Sequence, residues 1–136
     1  MRRAAVAQVR KYGVGGEGKA HKELKEWIAK HPDVLGLTDV VSSTVEHPFI
    51  SGDAADIVFG LRSGAYAVVE IETTTPLPGA HQAIKYRALL CAEKQLPLGS
   101  SKVRSILVAW AIPPNVRRFC ADYAIDFQEY EIPPRI

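Results

Sequence analysis

Three carboxylates, Asp56, Glu70 and Glu72, stand within DIVFGLRSGAYAVVEIE, a run otherwise dominated by apolar and β-branched residues. Acidic side chains are rarely buried in such company unless something positive meets them. The run reads as two strands joined at Arg62-Ser63-Gly64, a three-residue hairpin connection in which Gly64 takes the left-handed conformation. That turn sets a register with Asp56 directly opposite Glu70, Cβ atoms ~5 Å apart. Side-chain alternation then turns Glu72 to the face of Glu70. Like charges directly opposed destabilise a sheet, and no Arg or Lys adjoins them on either strand. A divalent cation is the natural compensation, and oxygen donors select Mg2+ or Mn2+. The competing reading leaves the hairpin end exposed and the acids merely solvated.

The elements that must hold this hairpin follow from periodicity and punctuation. A helix is expected from about Glu17 to Lys30, stopped near Pro32. Strands follow at about Val40–His47, Ala54–Leu61 and Ala65–Thr73. Pro76, Pro78 and Gly79 break the chain before a second helix at about Ala80–Gln95. A strand near Val103–Ala111 comes next, then a helix opened by Pro113 and Pro114, then a strand near Ile125–Glu131. The stretch Val103–Ala111 is almost wholly apolar, which suits a central strand covered on both faces. The expected fold class is α/β, a mixed β-sheet flanked by helices, in the order αβββαβ followed by αβ.

On the first helix, Ala20, Leu24, Trp27 and Ile28 gather on one side, and Glu17 falls in the same sector. Lys19, Lys22 and Glu26 point away, and His21, one turn after Glu17, lies on the edge. An inward carboxylate at a helix N-terminus can be a dipole-stabilised, cap-like group, or it can reach over the sheet toward a metal. Both remain open for Glu17.

At 136 residues the chain is long enough for one core, and 1–136 reads as a single domain with a basic segment at 1–14. No apolar run approaches the ~20 residues of a membrane span, and the N-terminus lacks the pattern of a secretory signal. Cys91 and Cys120 each sit in apolar surroundings without a ligand partner, as in a reduced cytoplasmic protein. The net charge of +2 hides an asymmetry: residues 1–31 hold eight Lys/Arg and three Asp/Glu, the remainder nine and twelve. Such a split suits a protein that approaches a polyanion with one end and holds a cation elsewhere. Solvated helix faces would look the same on charge alone.

Taken together, these residues resemble the PD-(D/E)XK, or restriction-endonuclease-like, nuclease superfamily. GDAADIVF supplies its Asp as Asp56, VVEIET its acidic partner as Glu70, and GEGKAHKELKEWI looks like its first helix. QAIKY, with Gln82 and Tyr86, matches the QxxxY motif of the RecB-like branch. The likeness spans roughly residues 15–111. It departs from the pattern at one place, where Glu72 stands at the expected lysine. Glu72 could serve as a third metal-facing carboxylate that orients water, or Lys85 in QAIKY could supply a migrated ammonium, or the site could bind without cutting.

The resemblance implies metal-dependent hydrolysis of nucleic-acid phosphodiesters, most readily of DNA. Mg2+ or Mn2+ would lie between Asp56 and Glu70, with the Ile71 carbonyl as a further ligand and Glu17 reaching in directly or through water. Gln82 and Tyr86, one turn apart on a shared helix face, would hold a water or phosphate; a polar helix rim has the same spacing. Lys19, Lys22, Lys25 and Arg87, with Arg2, Arg3, Arg10 and Lys11, would attract the backbone. A homodimer presenting two sites to two strands is compatible with so small a core. The alternative is a degenerate nuclease-like domain that binds nucleic acid or a partner protein.

Overall fold

The computed structural model describes residues 17–132. The basic N-terminal segment with Arg2, Arg3, Arg10 and Lys11 lies outside them.

Helix α1, Lys19–Lys30, is followed by a 3-10 turn at Pro32–Leu35 and closes against strands β1 (Val40–Pro48), β2 (Ala54–Leu61) and β3 (Tyr66–Glu72). Helix α2, Leu77–Glu93, then crosses to β4, Val103–Ala109, and helix α3, Pro114–Asp122, leads to β5, Asp126–Glu129. Among the described residues the strands form one sheet in the order β1-β2-β3-β4-β5. The first three are antiparallel; β4 and β5 run parallel to β3. This is the expected mixed α/β architecture and element order. The unexpected piece is the 3-10 turn, which Pro32 opens and the left-handed Gly36 ends.

The hairpin has the register that its turn dictated. Gly64 has φ +91, the Leu61 N–H donates to the Ala65 carbonyl at 2.8 Å, and Ile57 faces Val69. Odd-numbered hairpin residues Ile57, Phe59, Ala67, Val69 and Ile71 pack under Leu24 and Ile28 of α1. On the other face, Val58 and Val68 meet Tyr86, Leu90 and Cys91 of α2. Leu107 and Ala109 of β4 meet Ala80 and Ala83 of α2 and Val116 and Cys120 of α3. Each large side chain so buried contributes ~1.5–3 kcal/mol of transfer free energy. β4, covered from both sides, is the inner strand its composition suggested. Both cysteines are buried free thiols, and no described helix is long and apolar enough to cross a membrane.

The buried line of α1 differs from the apolar sector read from sequence. It comprises His21, Leu24, Lys25 and Ile28, with Ala20 and Trp27 only partly covered. The helix turns two ionisable residues inward because partners await them there.

Candidate active site

The β2–β3 ladder ends at Ile57 and Val69, and one step further come Asp56 and Glu70. Here the side chains bind across the gap. Glu70 Oε2 accepts from the Asp56 backbone N–H at 2.9 Å, and Asp56 Oδ2 accepts from the Ile71 N–H at 2.8 Å. Both carboxylates are sealed from solvent, at 0% and 1% exposure. The solvated reading of this hairpin end is thereby excluded. Burying an acid is tolerable only when hydrogen bonds and positive charge meet it.

The positive charge comes from α1. His21 Nε2 donates to the Ile71 carbonyl at 2.9 Å and lies 3.4 Å from Asp56 Oδ2. Its Nδ1 donates to Glu17 Oε2 at 2.5 Å. Both ring nitrogens face acceptors, so the imidazolium is the form that satisfies every contact. Burial disfavours that cation, but Asp56 and then Glu17 outweigh burial and raise the pKa above its ordinary 6.5. Lys25, one turn on, reaches the same Glu17 oxygen at 2.6 Å and also pairs with Glu46. Burial works against its ammonium too, and the two carboxylates prevail, holding its pKa above 10.5.

Glu46 is an irregular strand residue. The pairs Val45–Ile57 and His47–Ala55 flank it, so it stands across from Asp56, and its φ is +58. A non-glycine residue there costs ~1–3 kcal/mol, which the surrounding structure must offset. The Lys25 ion pair is the visible compensation. Glu17 lies just before the helix, outside the N-cap Gly18, and its carboxylate turns to His21 and Lys25. It joins the site through His21.

Several predicted site residues stand elsewhere. Lys25 is 2% exposed and locked in ion pairs, so it is no part of a DNA-facing surface. Arg87 donates to the carbonyls of Ala124 and Tyr123 at 2.8 and 2.7 Å, fastening the end of α3 to α2. Lys85, with 55% of its side chain exposed, pairs with Asp53 at 3.0 Å. Tyr86 is buried against Phe49, ring centroids 5.6 Å apart, as a core residue. Lys19 and Lys22 are exposed, on the first turns of α1 beside His21.

Glu72 is half-buried beside Gly79, in the first turn of α2, where a Cβ would come within 2.4 Å of Glu72 Cγ. One turn along that helix face, Gln82 Oε1 is buried without a hydrogen-bond partner among the described residues. It stands between Gly79, against the end of β3, and Tyr86, over Val68. Such an orphan acceptor wants a donor that the described chain does not supply.

His21 was the site residue that sequence reasoning passed over. Its signal was present: Glu17, His21 and Lys25 are spaced by four, one line on a helix. What the spacing could not show was that this line faces the acids.

Among the described residues no group of three or more His, Cys, Asp or Glu forms a complete metal cage. Asp56, Glu70 and the Ile71 carbonyl nevertheless make a hard, oxygen-only donor set. Around this set, the carboxylates of Asp56, Glu17 and Glu46 face the two basic side chains His21 and Lys25. Mg2+ commonly binds through one or two carboxylates and completes its shell with water and phosphate. The donor types fit such an ion, and the cover over the two carboxylates would have to part to admit its water and phosphate.

No family model and no curated protein matches the sequence. Solved structures do. EndoMS in complex with double-stranded DNA superposes with a TM-score of 0.67 at 22% identity, over 85% of this chain and 46% of that one. A repair endonuclease from Pyrococcus abyssi gives 0.68 at 20%, over 85% and 49%, and EndoMS in apo form 0.61 at 22%, over 88% and 49%. The shared feature is the fold. The chain spans about half the length of the proteins it resembles.

Proposed function

We propose that this chain is a nuclease domain that hydrolyses phosphodiester bonds of DNA with a divalent metal ion, Mg2+ or Mn2+. The observation that carries the reading is the pair Asp56 and Glu70, sealed from solvent and bound across two parting strands within a fold shared with DNA repair endonucleases. Asp56, Glu70 and the Ile71 carbonyl would hold the ion. Bound there, it would make water a better nucleophile at neutral pH and draw charge from the scissile phosphate.

The chain's own groups do the rest. Cross-strand hydrogen bonds fix both carboxylates before substrate arrives, so little reorganisation is needed during reaction. His21 holds the Ile71 carbonyl and offsets the charge on Asp56. Gln82 offers a buried acceptor for a water or a phosphate-bound proton. Glu72, half-buried beside Gly79 of α2, would orient water. Lys19 and Lys22 would meet the DNA backbone.

A second reading, a nuclease-like domain that binds DNA without cutting it, rests on Glu72 where the superfamily pattern has lysine and on Lys85 being engaged with Asp53. Linear, flapped and four-way DNA, and RNA of matching sequence, incubated with Mn2+ separate the two. Wild type should nick at least one DNA substrate, and Asp56→Ala should lower the rate at least ~100-fold, the scale for losing a group that orders transition-state charge. Tight Mn2+ and DNA binding with every substrate intact favours the second reading.

A further inference from the structure

Lys25 is the most completely buried cation described here, and the proposed mechanism leaves it without a part. Its neighbours suggest one. Its ammonium is shared by Glu17 Oε2 and Glu46. The same Glu17 oxygen receives His21 Nδ1–H, and the other face of that imidazole bonds the Ile71 carbonyl beside Asp56 Oδ2. These links form one chain from the edge strand β1 to the buried acids: Glu46, Lys25, Glu17, His21, then Asp56 and Ile71.

Each link restricts the next. Without Lys25, Glu17 would gain freedom to turn to solvent, since it precedes the helix and among the described residues its carboxylate is held by His21 and Lys25. A free Glu17 would no longer orient the imidazole. The left-handed backbone at Glu46, across from Asp56, turns that side chain onto Lys25. A lysine serving only to be neutralised would be simpler as an apolar residue, since buried ion pairs rarely stabilise more than apolar packing of equal volume.

We propose that Lys25 is a positioning residue for the metal-binding groups, acting through Glu17 and His21 on the Asp56 carboxylate and the Ile71 carbonyl. The proposal rests on the nuclease reading above for its purpose but not for its geometry. Glu46 anchors the far end of the relay, and the exposed lysines of α1 take no part in it.

Two measurements on the full chain, neither needing cleavage, test it. In metal-free protein, the 15N resonances of the His21 ring report how its nitrogens are held. Lys25→Met should shift them, Glu46→Gln should shift them in the same direction by less, and Lys30→Met, on the same helix but exposed, should leave them in place. Calorimetric titration with Mn2+ should then show Lys25→Met binding about tenfold more weakly, the scale seen when a group supporting metal ligands is lost. Lys25→Met combined with His21→Ala should bind no more weakly than His21→Ala alone, because both act along one path. Unmoved His21 resonances in Lys25→Met, or losses that add in full, overturn the relay. If Lys25→Met does not fold, Glu46→Gln with unshifted His21 resonances overturns it equally. A wild type that neither binds Mn2+ nor cuts DNA refutes the nuclease reading instead, and the ring resonances still judge the relay.

Discussion

The acids of this site are held by what they accept. Asp56 and Glu70 each take a backbone N–H from the opposite strand, so they replace ladder bonds that the parting strands give up. His21 then contributes a charge whose cost burial would otherwise make prohibitive. Because its folded pKa is raised, its contribution is complete below the unfolded value near 6.5 and is lost as pH climbs through the folded value. The urea midpoint of metal-free protein should therefore fall as pH rises across that window. His21→Gln should flatten the slope there; an unchanged slope would mean that the imidazole is not the linked group.

Elements decide which side chains can meet. Gly79 lets the first turn of α2 close on the end of β3, since a Cβ would also come within 3.0 Å of Leu107 Cδ1. Gly79→Ala should destabilise the fold by about 1–2 kcal/mol, overpacking outweighing the better helix propensity of alanine. It should also displace Glu72. Denaturant unfolding reads the first effect and, if Glu72 orients water, kcat with unchanged KM reads the second. Arg87 is an element-scale residue that sequence placed on the DNA. Its two hydrogen bonds close the turn after α3, where Ala124 sits at φ +55. Arg87→Ala should cost about 1–2 kcal/mol in urea unfolding while DNA affinity stays at its wild-type value.

Across the whole molecule, the acidic ends of β2 and β3 and the first turns of α1 gather at one end of the sheet. Lys19 and Lys22 are exposed cations at that end; Lys25 is buried, and Arg87, half-buried, bonds the carbonyls of Ala124 and Tyr123. If the chain binds DNA as proposed, replacing both Lys19 and Lys22 with Gln should weaken that binding at every sequence tested. It should also reduce the slope of log K against log salt by about 1–2, one phosphate contact per lysine. An unchanged slope would place the DNA path elsewhere.

The hairpin, its register and the opposition of Asp56 to Glu70 were determined by sequence alone, because a tight turn and a period of two are local rules that leave little choice. The element order and the inner position of β4 followed from equally local patterns of apolar residues. Which way α1 rolls on the sheet was another matter. Apolar spacing favoured turning Ala20 and Trp27 inward, whereas the folded chain turns His21 and Lys25 inward instead. That choice depends on Glu46, Asp56 and the Ile71 carbonyl, partners between 21 and 50 residues away in the chain. Only tertiary structure brings such groups within reach, and only their combined charge makes burying two cations favourable.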